Sequence, residues 1–397
     1  MRIYILVLLF VSAALPSKAQ QDFNYNDFFH YRNHQYLQTS YALLNGATAK
    51  MATRDTAAAI KLIQQAASKG MYDTGYITYR GSLNFVTKTP AWDGIKQIIF
   101  SNAEKYSDPQ NMEIITSDID KFWSLYDKLD DPNADEILMN EYIMQGSQGL
   151  KTFFEVRLSW RATQLVTAVR DYGKYYESIR ETSLSLKNYI PTIKAAAAKL
   201  KTIYPESIFP PTTFFIGNIN NFGTADGGAG QLIGAEFLCD LKTADTSQLN
   251  RWQKSALTDT SKILGIIIHE LIHIEQQTAS PDNLLARAIN EGAADFVSEL
   301  VLGFNLNSKI HAYGNANEKA LWEKFKKQMG GTKTDDWLYN GLDDKRDYPA
   351  DLGYYMGYKI CEAYYNKAQD KKQAVKDILT IQDFEKFLSD SGYGSSI

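Results

Sequence analysis

The sequence predicts an α+β fold that is mainly helical, and three observations carry this prediction. Apolar residues recur three and four positions apart through much of residues 23–200, which is the spacing of a helix face. Two segments rich in β-formers follow, at 212–217 and 231–238. The rest of the chain again has helical patterns, so the strands would add one small sheet or hairpin to a helical protein.

The composition is that of an ordinary globular chain. Its 397 residues are 44% hydrophobic and 22% charged, and the only long apolar run lies at the N-terminus. These values exclude a multispan membrane protein and a largely disordered chain. The chain carries 42 basic and 46 acidic residues, a net charge of −4. A mildly acidic chain lacks the basic surface of a nucleic-acid binder, so we expect no nucleic-acid partner.

The N-terminus has the pattern of a secretory signal peptide. Arg2 is followed by an apolar run at 3–11, and residues 17–19 end in the small-x-small pattern of a cleavage site. We therefore predict a signal peptide over 1–19 and a secreted or periplasmic protein with no stable membrane span after cleavage. An N-terminal membrane anchor is the alternative. Cleavage would leave 40 basic and 46 acidic residues, a net charge of −6.

The mature chain keeps two cysteines, Cys239 and Cys361. In an exported protein they could form one disulfide. They could equally be two buried thiols, because cysteine packs as a small hydrophobic residue. No cysteine lies near residue 19, so lipidation at that point is not expected.

The pattern of predicted elements changes near residue 200. Helices are predicted over 117–129, 153–172 and 194–201, whereas the glycine-rich segment 223–230 is predicted to be a flexible turn between the two strands. We therefore expect a helical N-terminal region over 20–200 and a second region over 201–397. Whether the two regions pack as one unit is left open.

The most specific motif is His-Glu-x-x-His, formed by His269, Glu270 and His273. Residues four apart lie on one face of a helix, so both imidazoles can reach one metal ion at about 2.0–2.1 Å. Glu270 points about 100° away and can approach a water on that metal. Two imidazoles beside the apolar run 266–268 would also be costly to bury without a partner, and a metal supplies one.

A catalytic zinc site needs a third protein ligand and keeps a fourth position for water. Glu291 follows after a predicted turn at 278–283, and a second helix could fold back to present it. Asp295 lies one helical turn further on and suits a carboxylate that accepts a ring N–H from a ligand histidine. We therefore predict one Zn²⁺ per chain. The alternative for Glu291 and Asp295 is a solvated helix face.

The motif together with Asn290-Glu291-Gly292-Ala293 resembles the gluzincin metallopeptidases, which use a glutamate as third zinc ligand. This resemblance implies a zincin-like catalytic half. More broadly, the chain resembles a family of exported bacterial zinc-dependent proteases of unknown function that is related by name to gliding-motility lipoprotein B. The broader resemblance spans most of the mature chain, at 118–123, 146–151, 232–236, 351–365 and the zinc segments.

Peptide hydrolysis passes through an oxyanion that a further donor usually stabilises. In gluzincins that donor is commonly a Tyr or His from a later segment. Tyr354 is the first candidate, followed by Tyr358 on the same helical face, and His311 is a third. Alternatively, the tyrosines are core residues whose hydroxyls find their own partners.

The second predicted strand is a candidate for binding substrate. In zinc proteases an edge strand pairs with the extended substrate backbone, and 232–237 could be that strand. Gly234, Ala235 and Glu236 are loosely similar to the Gly-Ala-Met-Glu-Asn element of zinc aminopeptidases, in which the Glu holds the free amine of a substrate. The Met is missing here and Phe237 replaces the Asn, which moves the Glu to the opposite face of a strand.

Together these features predict an exported zinc metallopeptidase that acts on a peptide or protein substrate. Glu270 would be the general base toward the zinc-activated water. A non-catalytic or structural-zinc protein that binds or assembles components of the cell envelope is the alternative. Zinc-dependent hydrolysis of a non-peptide bond is a third possibility.

Overall fold

The computed structural model describes residues 39–79, 81–220, 223–279, 281–341 and 348–395. The predicted signal peptide lies outside these residues. Within them the chain forms two units: the N-terminal unit comprises residues up to 190 together with 208–260, and the C-terminal unit comprises 191–207 with residues from 261 onward. The protein is mainly helical with two small sheets, in agreement with the predicted α+β class.

The N-terminal unit consists largely of short helices. They are α1 (Ser40–Ala52), α2 (Thr56–Ser68), α3 (Gly75–Thr78), α4 (Ala91–Lys105), α5 (Ser117–Leu125), α6 (Ala134–Ile137), α7 (Gln148–Leu158), α8 (Ala162–Asp171), α9 (Gly173–Ser185) and α11 (Arg251–Ala256). Between α9 and α11 the chain forms α10 (Ile190–Ile203). α10 begins at the end of this unit and belongs to the C-terminal unit from residue 191 onward.

Side-chain caps and aliphatic packing define the first helices. The Thr39 and Asp55 side chains accept backbone N–H groups at the starts of α1 and α2 and so satisfy donors that a helix leaves free. Leu44, Ile63 and Ile99 from α1, α2 and α4 are buried in one core. Local capping and non-polar burial together therefore fix this part of the unit.

The helix predicted over 153–172 is wrong as one element. It is divided into α7 and α8, because Ser159 and Trp160 have left-handed backbone conformations with φ of 49° and 62°. The predicted helix at 194–201 lies within α10. The predicted helix at 117–129 corresponds to α5, and a 3₁₀ turn extends it over Tyr126–Lys128.

The larger sheet has the order β1-β2-β4-β3, from β1 (Ile114–Ile115), β2 (Thr212–Phe215), β3 (Gly223–Asp226) and β4 (Gly230–Gly234). β1 and β4 run parallel to β2, with Thr213 aligned with Ile115 on one side and with Leu232 on the other. β3 runs antiparallel to β4. Residues 223–226 are therefore a strand, not the flexible turn that their glycine-rich sequence predicted.

The second sheet is a parallel pair of β5 (Leu238–Cys239) and β6 (Thr258–Asp259). A 3₁₀ turn at Ala235–Phe237 separates β5 from β4, so the segment predicted as one strand over 231–238 is two strands. In the larger sheet, β1 lies before residue 200 in the sequence and the other three strands lie after it. For this reason the unit boundaries differ from the single division predicted near that residue.

The predicted substrate strand is not at an edge of the sheet, because β4 lies between β2 and β3. Gly234 and Ala235 are buried in the N-terminal unit, and Glu236 is fully buried. The Glu236 carboxylate accepts the backbone N–H groups of Gly217 and Ile219, at 2.9 and 3.4 Å. Burial raises the pKa of Glu236 to about 7. This carboxyl group therefore ties the chain after β2 to the turn after β4, instead of presenting a charge to substrate.

The C-terminal unit is built from longer helices. After α10 they are α12 (Ile263–Glu275), α13 (Leu284–Leu302), α14 (Ser308–Gln328), α15 (Leu352–Lys367), α16 (Lys371–Leu379) and α17 (Phe384–Ser391). None of the helices in the described residues is long and apolar enough to cross a membrane. Both cysteines are buried free thiols, which decides against the disulfide alternative.

The sequence around α13 sets both of its ends. The Asn283 side chain accepts the backbone N–H of Ala286 at the start, and Gly303 ends the helix in the left-handed conformation with φ of 77°. Nearly every side chain from Leu284 to Ser298 is buried, so α13 is a central helix of its unit. A carboxylate on this helix is consequently held in a rigid, dry setting.

α13 and α15 cross in direct backbone contact. A Cβ atom added to Gly357 would overlap the carbonyl oxygen of Ala288, and one added to Gly292 would overlap the backbone nitrogen of Tyr358. Only glycine at both positions allows this approach. The crossing holds the residues of α15 against the helix that carries Glu291.

Gly357→Ala is expected to lower the free energy of unfolding by about 2–3 kcal/mol, because the added methyl group forces the two helices apart. Chemical denaturation of the protein, with loss of helix followed by circular dichroism, measures the change in the free energy of unfolding. Gly330→Ala is the matched control, since nothing lies within 4 Å of its added Cβ atom. Equal stability of the two variants would contradict the close crossing.

Candidate metal centre

Three side chains of the C-terminal unit converge on one point. His269 and His273 lie on α12 and Glu291 lies on α13. The two Nε2 atoms are 3.0 Å apart, and Glu291 Oε2 is 3.5 Å from that of His269 and 3.3 Å from that of His273. One ligand atom from each residue lies within 4.8 Å of the others. The structure therefore brings together the three residues that the sequence assigned to a metal.

The second nitrogen of each ring fixes its protonation. His269 Nδ1 lies 2.9 Å from Asp295 Oδ1, and His273 Nδ1 lies 2.9 Å from Gln276 Oε1. The Gln276 amide nitrogen donates to the Asn290 carbonyl oxygen at 2.7 Å, which leaves its oxygen to accept from the ring. Each Nδ1 thus carries a hydrogen and donates it. In the neutral rings both Nε2 lone pairs then face the same point.

The buried carboxylate makes this convergence costly without a cation. Glu291 is 1% exposed, and its Oε2 atom has no hydrogen-bond partner within the described residues. Two imidazole lone pairs and one carboxylate oxygen cannot satisfy one another. A proton or a metal ion can satisfy all three. Two imidazole nitrogens and one carboxylate oxygen are also a set of protein ligands that catalytic zinc sites use, so the residues fit such an ion.

Charge coupling shows how the cluster behaves without metal. Burial lowers the pKa of His269, but the contacts with Asp295 and Glu291 outweigh burial and raise that pKa to about 10. The pKa of His273 is also raised, because the Glu291 charge outweighs burial. Burial raises the pKa of Glu291, yet His273 and His269 together hold it well below its usual range. These directions favour a protonated imidazole beside a charged Glu291 carboxylate when no metal is bound.

Glu270 lies beside the cluster without joining it. It is partly exposed, unlike Glu291, and the three converging residues all influence its titration. Burial raises the pKa of Glu270, and the histidines oppose this only partly. The two carboxyl groups thus have opposite tendencies: Glu291 keeps its charge, and Glu270 takes up a proton more readily. A site that moves a proton needs this difference.

Of the predicted oxyanion donors, Tyr354 lies nearest to the cluster. Its ring stacks on that of His269, with centroids 6.1 Å apart and an angle of 19° between the planes. Burial and then the Glu291 charge raise the pKa of Tyr354 well above its usual value, so the hydroxyl keeps its proton. No hydrogen bond to that hydroxyl is found among the residues described.

Tyr358 and His311 have other partners. Burial and the nearby Glu299 raise the pKa of Tyr358, and its ring packs edge-on against His311 with centroids 4.3 Å apart. The His311 Nε2 atom lies 3.2 Å from the Asn305 amide nitrogen. The structure therefore does not support the prediction that Tyr358 or His311 donates to an oxyanion at this centre.

The sequence did not reveal Tyr339, which donates a hydrogen bond from its hydroxyl to Glu291 Oε1 at 2.9 Å. Burial and the Glu291 charge raise the pKa of Tyr339, so the hydroxyl remains a donor. Nothing in the spacing of the motif points to a residue 48 positions beyond Glu291. The neighbouring Asn340-Gly341 is a turn signal, but it says nothing about a side-chain partner.

Two further residues that help to orient the imidazole rings were also missed. Gln276 directly follows α12 and binds His273, as described above. Asn307 donates its amide to Asp295 Oδ2 at 2.8 Å, so that the other oxygen of Asp295 is aimed at His269. Gln276 lies three residues after a motif histidine, which is a local signal. Asn307 has none, because its position depends on how α14 follows α13.

Metal binding to this centre is expected to release at least one proton per ion at pH 7. The pKa of His269 is raised to about 10 without metal, so a metal must displace its proton. Below that pKa, the apparent metal affinity should fall about tenfold for each unit by which the pH is lowered, per proton displaced. Titration calorimetry with Zn²⁺ in buffers of different ionisation enthalpy counts the protons. A binding enthalpy independent of the buffer would contradict the protonated cluster, and His269→Ala is the control for binding at the site.

Comparison with known families adds one finding. A family model described as gliding motility protein GldB matches residues 101–395, a segment that contains the whole candidate metal centre. Neither the curated proteins nor the solved structures contain a match to the chain. The match covers most of the chain and agrees with the gliding-motility resemblance noted in the sequence. The chain belongs to the family of gliding motility protein GldB.

Proposed function

We propose that this protein is a zinc-dependent hydrolase of the cell envelope and that it cleaves peptide bonds. The observation that carries the proposal is the convergence of two imidazole Nε2 atoms and one buried carboxylate oxygen, with a second carboxyl group beside them. His269, His273 and Glu291 would hold the ion. Zinc held there would supply a Lewis acid and lower the pKa of water at the open position to about 7.

Glu270 is the proposed general base. It lies on α12 directly after His269 and is partly exposed. A water at the centre and the solvent can therefore both reach it. In the reaction it takes a proton from the attacking water and delivers it to the nitrogen of the leaving amine as the C–N bond breaks. Its raised pKa suits the first step, because a less acidic carboxyl group is a stronger base toward the water.

Tyr354 is the proposed donor to the oxyanion. Its ring is fixed against His269, and its hydroxyl keeps its proton next to the cluster. A hydroxyl held there stabilises developing negative charge on the substrate without first having to be reoriented. Asp295 and Gln276 orient the two ligand imidazoles through their Nδ1 atoms.

The arrangement of the three converging residues agrees with the gluzincin resemblance of the sequence. Two histidines on one helix and a glutamate on the next are the ligand pattern that the resemblance implies. A zincin-like C-terminal unit is accordingly part of the proposal. The GldB family is a lipoprotein family, which favours a location in the cell envelope.

The family description also favours a second candidate function. In this candidate function the protein binds or assembles components of the cell envelope and keeps a metal for structure alone. Glu270 argues against this, because a structural site has no use for a general base. Structural zinc is also usually closed by four protein ligands, and the converging group here offers three.

Glu270→Gln separates the two functions. We expect the variant to bind one Zn²⁺ per chain, as the wild type does, because Glu270 is not among the converging residues. Hydrolysis of a peptide library should fall about 10²- to 10⁴-fold, the usual contribution of a general acid–base. Mass spectrometry of the library and metal analysis of the same samples measure both quantities.

Glu323→Gln is the matched control, since Glu323 is an exposed carboxylate on α14 that pairs with Lys326. It should retain both zinc and activity, whereas His269→Ala should lose both. Identical products from the wild type and Glu270→Gln would favour the binding or assembly function. A wild-type chain that takes up no zinc would exclude the metal centre itself.

A further inference from the structure

The two oxygens of the Glu291 carboxylate have different surroundings. Oε2 faces the Nε2 atoms of His269 and His273 at 3.5 and 3.3 Å. Oε1 accepts the hydroxyl hydrogen of Tyr339 at 2.9 Å. One carboxylate oxygen is therefore directed at the candidate metal position, and a neutral donor occupies the other.

Tyr339 holds this position at a cost in backbone energy. Its φ angle is 58°, in the left-handed region that a bulky side chain rarely adopts. Such a conformation costs of order 1–3 kcal/mol and persists only where its surroundings impose it. The buried side chains of Trp337 and Leu338 immediately before it anchor this segment in the unit.

A pair of reciprocal hydrogen bonds fixes the segment on the other side. The Asn340 N–H donates to Asp351 Oδ1 at 3.2 Å, and the Asp351 N–H donates to Asn340 Oδ1 at 2.8 Å. We call this pair the Asn340–Asp351 clasp. Asp351 directly precedes α15, the helix that carries Tyr354. The clasp thus joins the start of α15 to the residue that follows Tyr339.

We propose that Tyr339 is a positioning residue that reserves one oxygen of Glu291, so that Glu291 can offer only its other oxygen to a metal. The Asn340–Asp351 clasp keeps Tyr339 in the strained conformation that this requires. The inference rests on the proposed metal centre and adds to it the number of carboxylate oxygens through which Glu291 would bind the metal ion. A glutamate free to bind through both oxygens would raise the coordination number and fill the position that water needs.

Cobalt(II) absorption tests this without any assay of activity. Coordination geometry is diagnostic of the site, and a four-coordinate Co²⁺ ion absorbs visible light more strongly than a five- or six-coordinate one. We expect the wild-type chain loaded with Co²⁺ to give the strong four-coordinate band. Tyr339→Phe should give a weaker band, and its zinc affinity should fall about 10- to 100-fold, the usual effect of losing a group that holds a ligand.

Tyr358→Phe is the matched control, because it also removes a tyrosine hydroxyl whose pKa a nearby carboxylate, that of Glu299, helps to raise. Its cobalt spectrum and zinc affinity should equal those of the wild type. Unchanged values in Tyr339→Phe would overturn the inference while leaving the metal centre intact. A wild-type chain that binds neither ion would overturn the proposed function and this inference with it.

The clasp provides a second test that leaves Tyr339 in place. Asp351→Ala removes the acceptor for the Asn340 N–H and should weaken the cobalt band in the same direction as Tyr339→Phe. Asp351→Asn retains an acceptor oxygen and should restore the wild-type spectrum. A thermal melt of each variant shows whether it is folded. An Asp351→Ala spectrum equal to that of the wild type would overturn the role given to the clasp.

Discussion

The C-terminal unit is organised around one unfavourable contact, the meeting of two imidazole lone pairs and a carboxylate oxygen at a buried point. Asp295 and Gln276 create this situation, because each takes the hydrogen of one ring's Nδ1 atom and leaves the Nε2 lone pair toward the centre. Only a cation reconciles the three atoms. A proton or a divalent metal ion can supply that positive charge.

The packing of the helices serves this contact. α12 supplies two imidazoles four residues apart, and the buried helix α13 supplies the carboxylate. Gly292 and Gly357 let α15 lie directly on α13, which brings Tyr354 onto the ring of His269. Because the atoms that converge are carried by well-packed helices, small changes in packing would be transmitted to the metal position.

The carboxyl groups of this protein show that burial alone does not define a role. Glu291 and Glu236 are both fully buried, but imidazoles hold the first in its charged form and backbone N–H groups tie the second into the N-terminal unit. Glu270 is partly exposed beside the cluster, and its pKa is raised. The similarity of Gly234-Ala235-Glu236 to an aminopeptidase element therefore does not extend to a similar environment.

The sequence by itself determined what depends on residues close in the chain. The spacing of His269, Glu270 and His273 along one helix follows from the helical repeat, and the mainly helical α+β class follows from the apolar patterns. It also pointed to Glu291 and Asp295, because a short turn returns the chain to the same place.

Only the tertiary structure decided the features that depend on distant segments. Gly223–Asp226 became a strand because β4 offered it a hydrogen-bonding edge, although its glycine-rich composition predicts a turn. The chain reversal at Ser159 and Trp160 split a continuous helical pattern. Tyr339 reaches Glu291 across 48 positions of sequence, through a strained backbone that its packing imposes. Local patterns carry no record of such contacts, because their free energy exists only once the chain has folded.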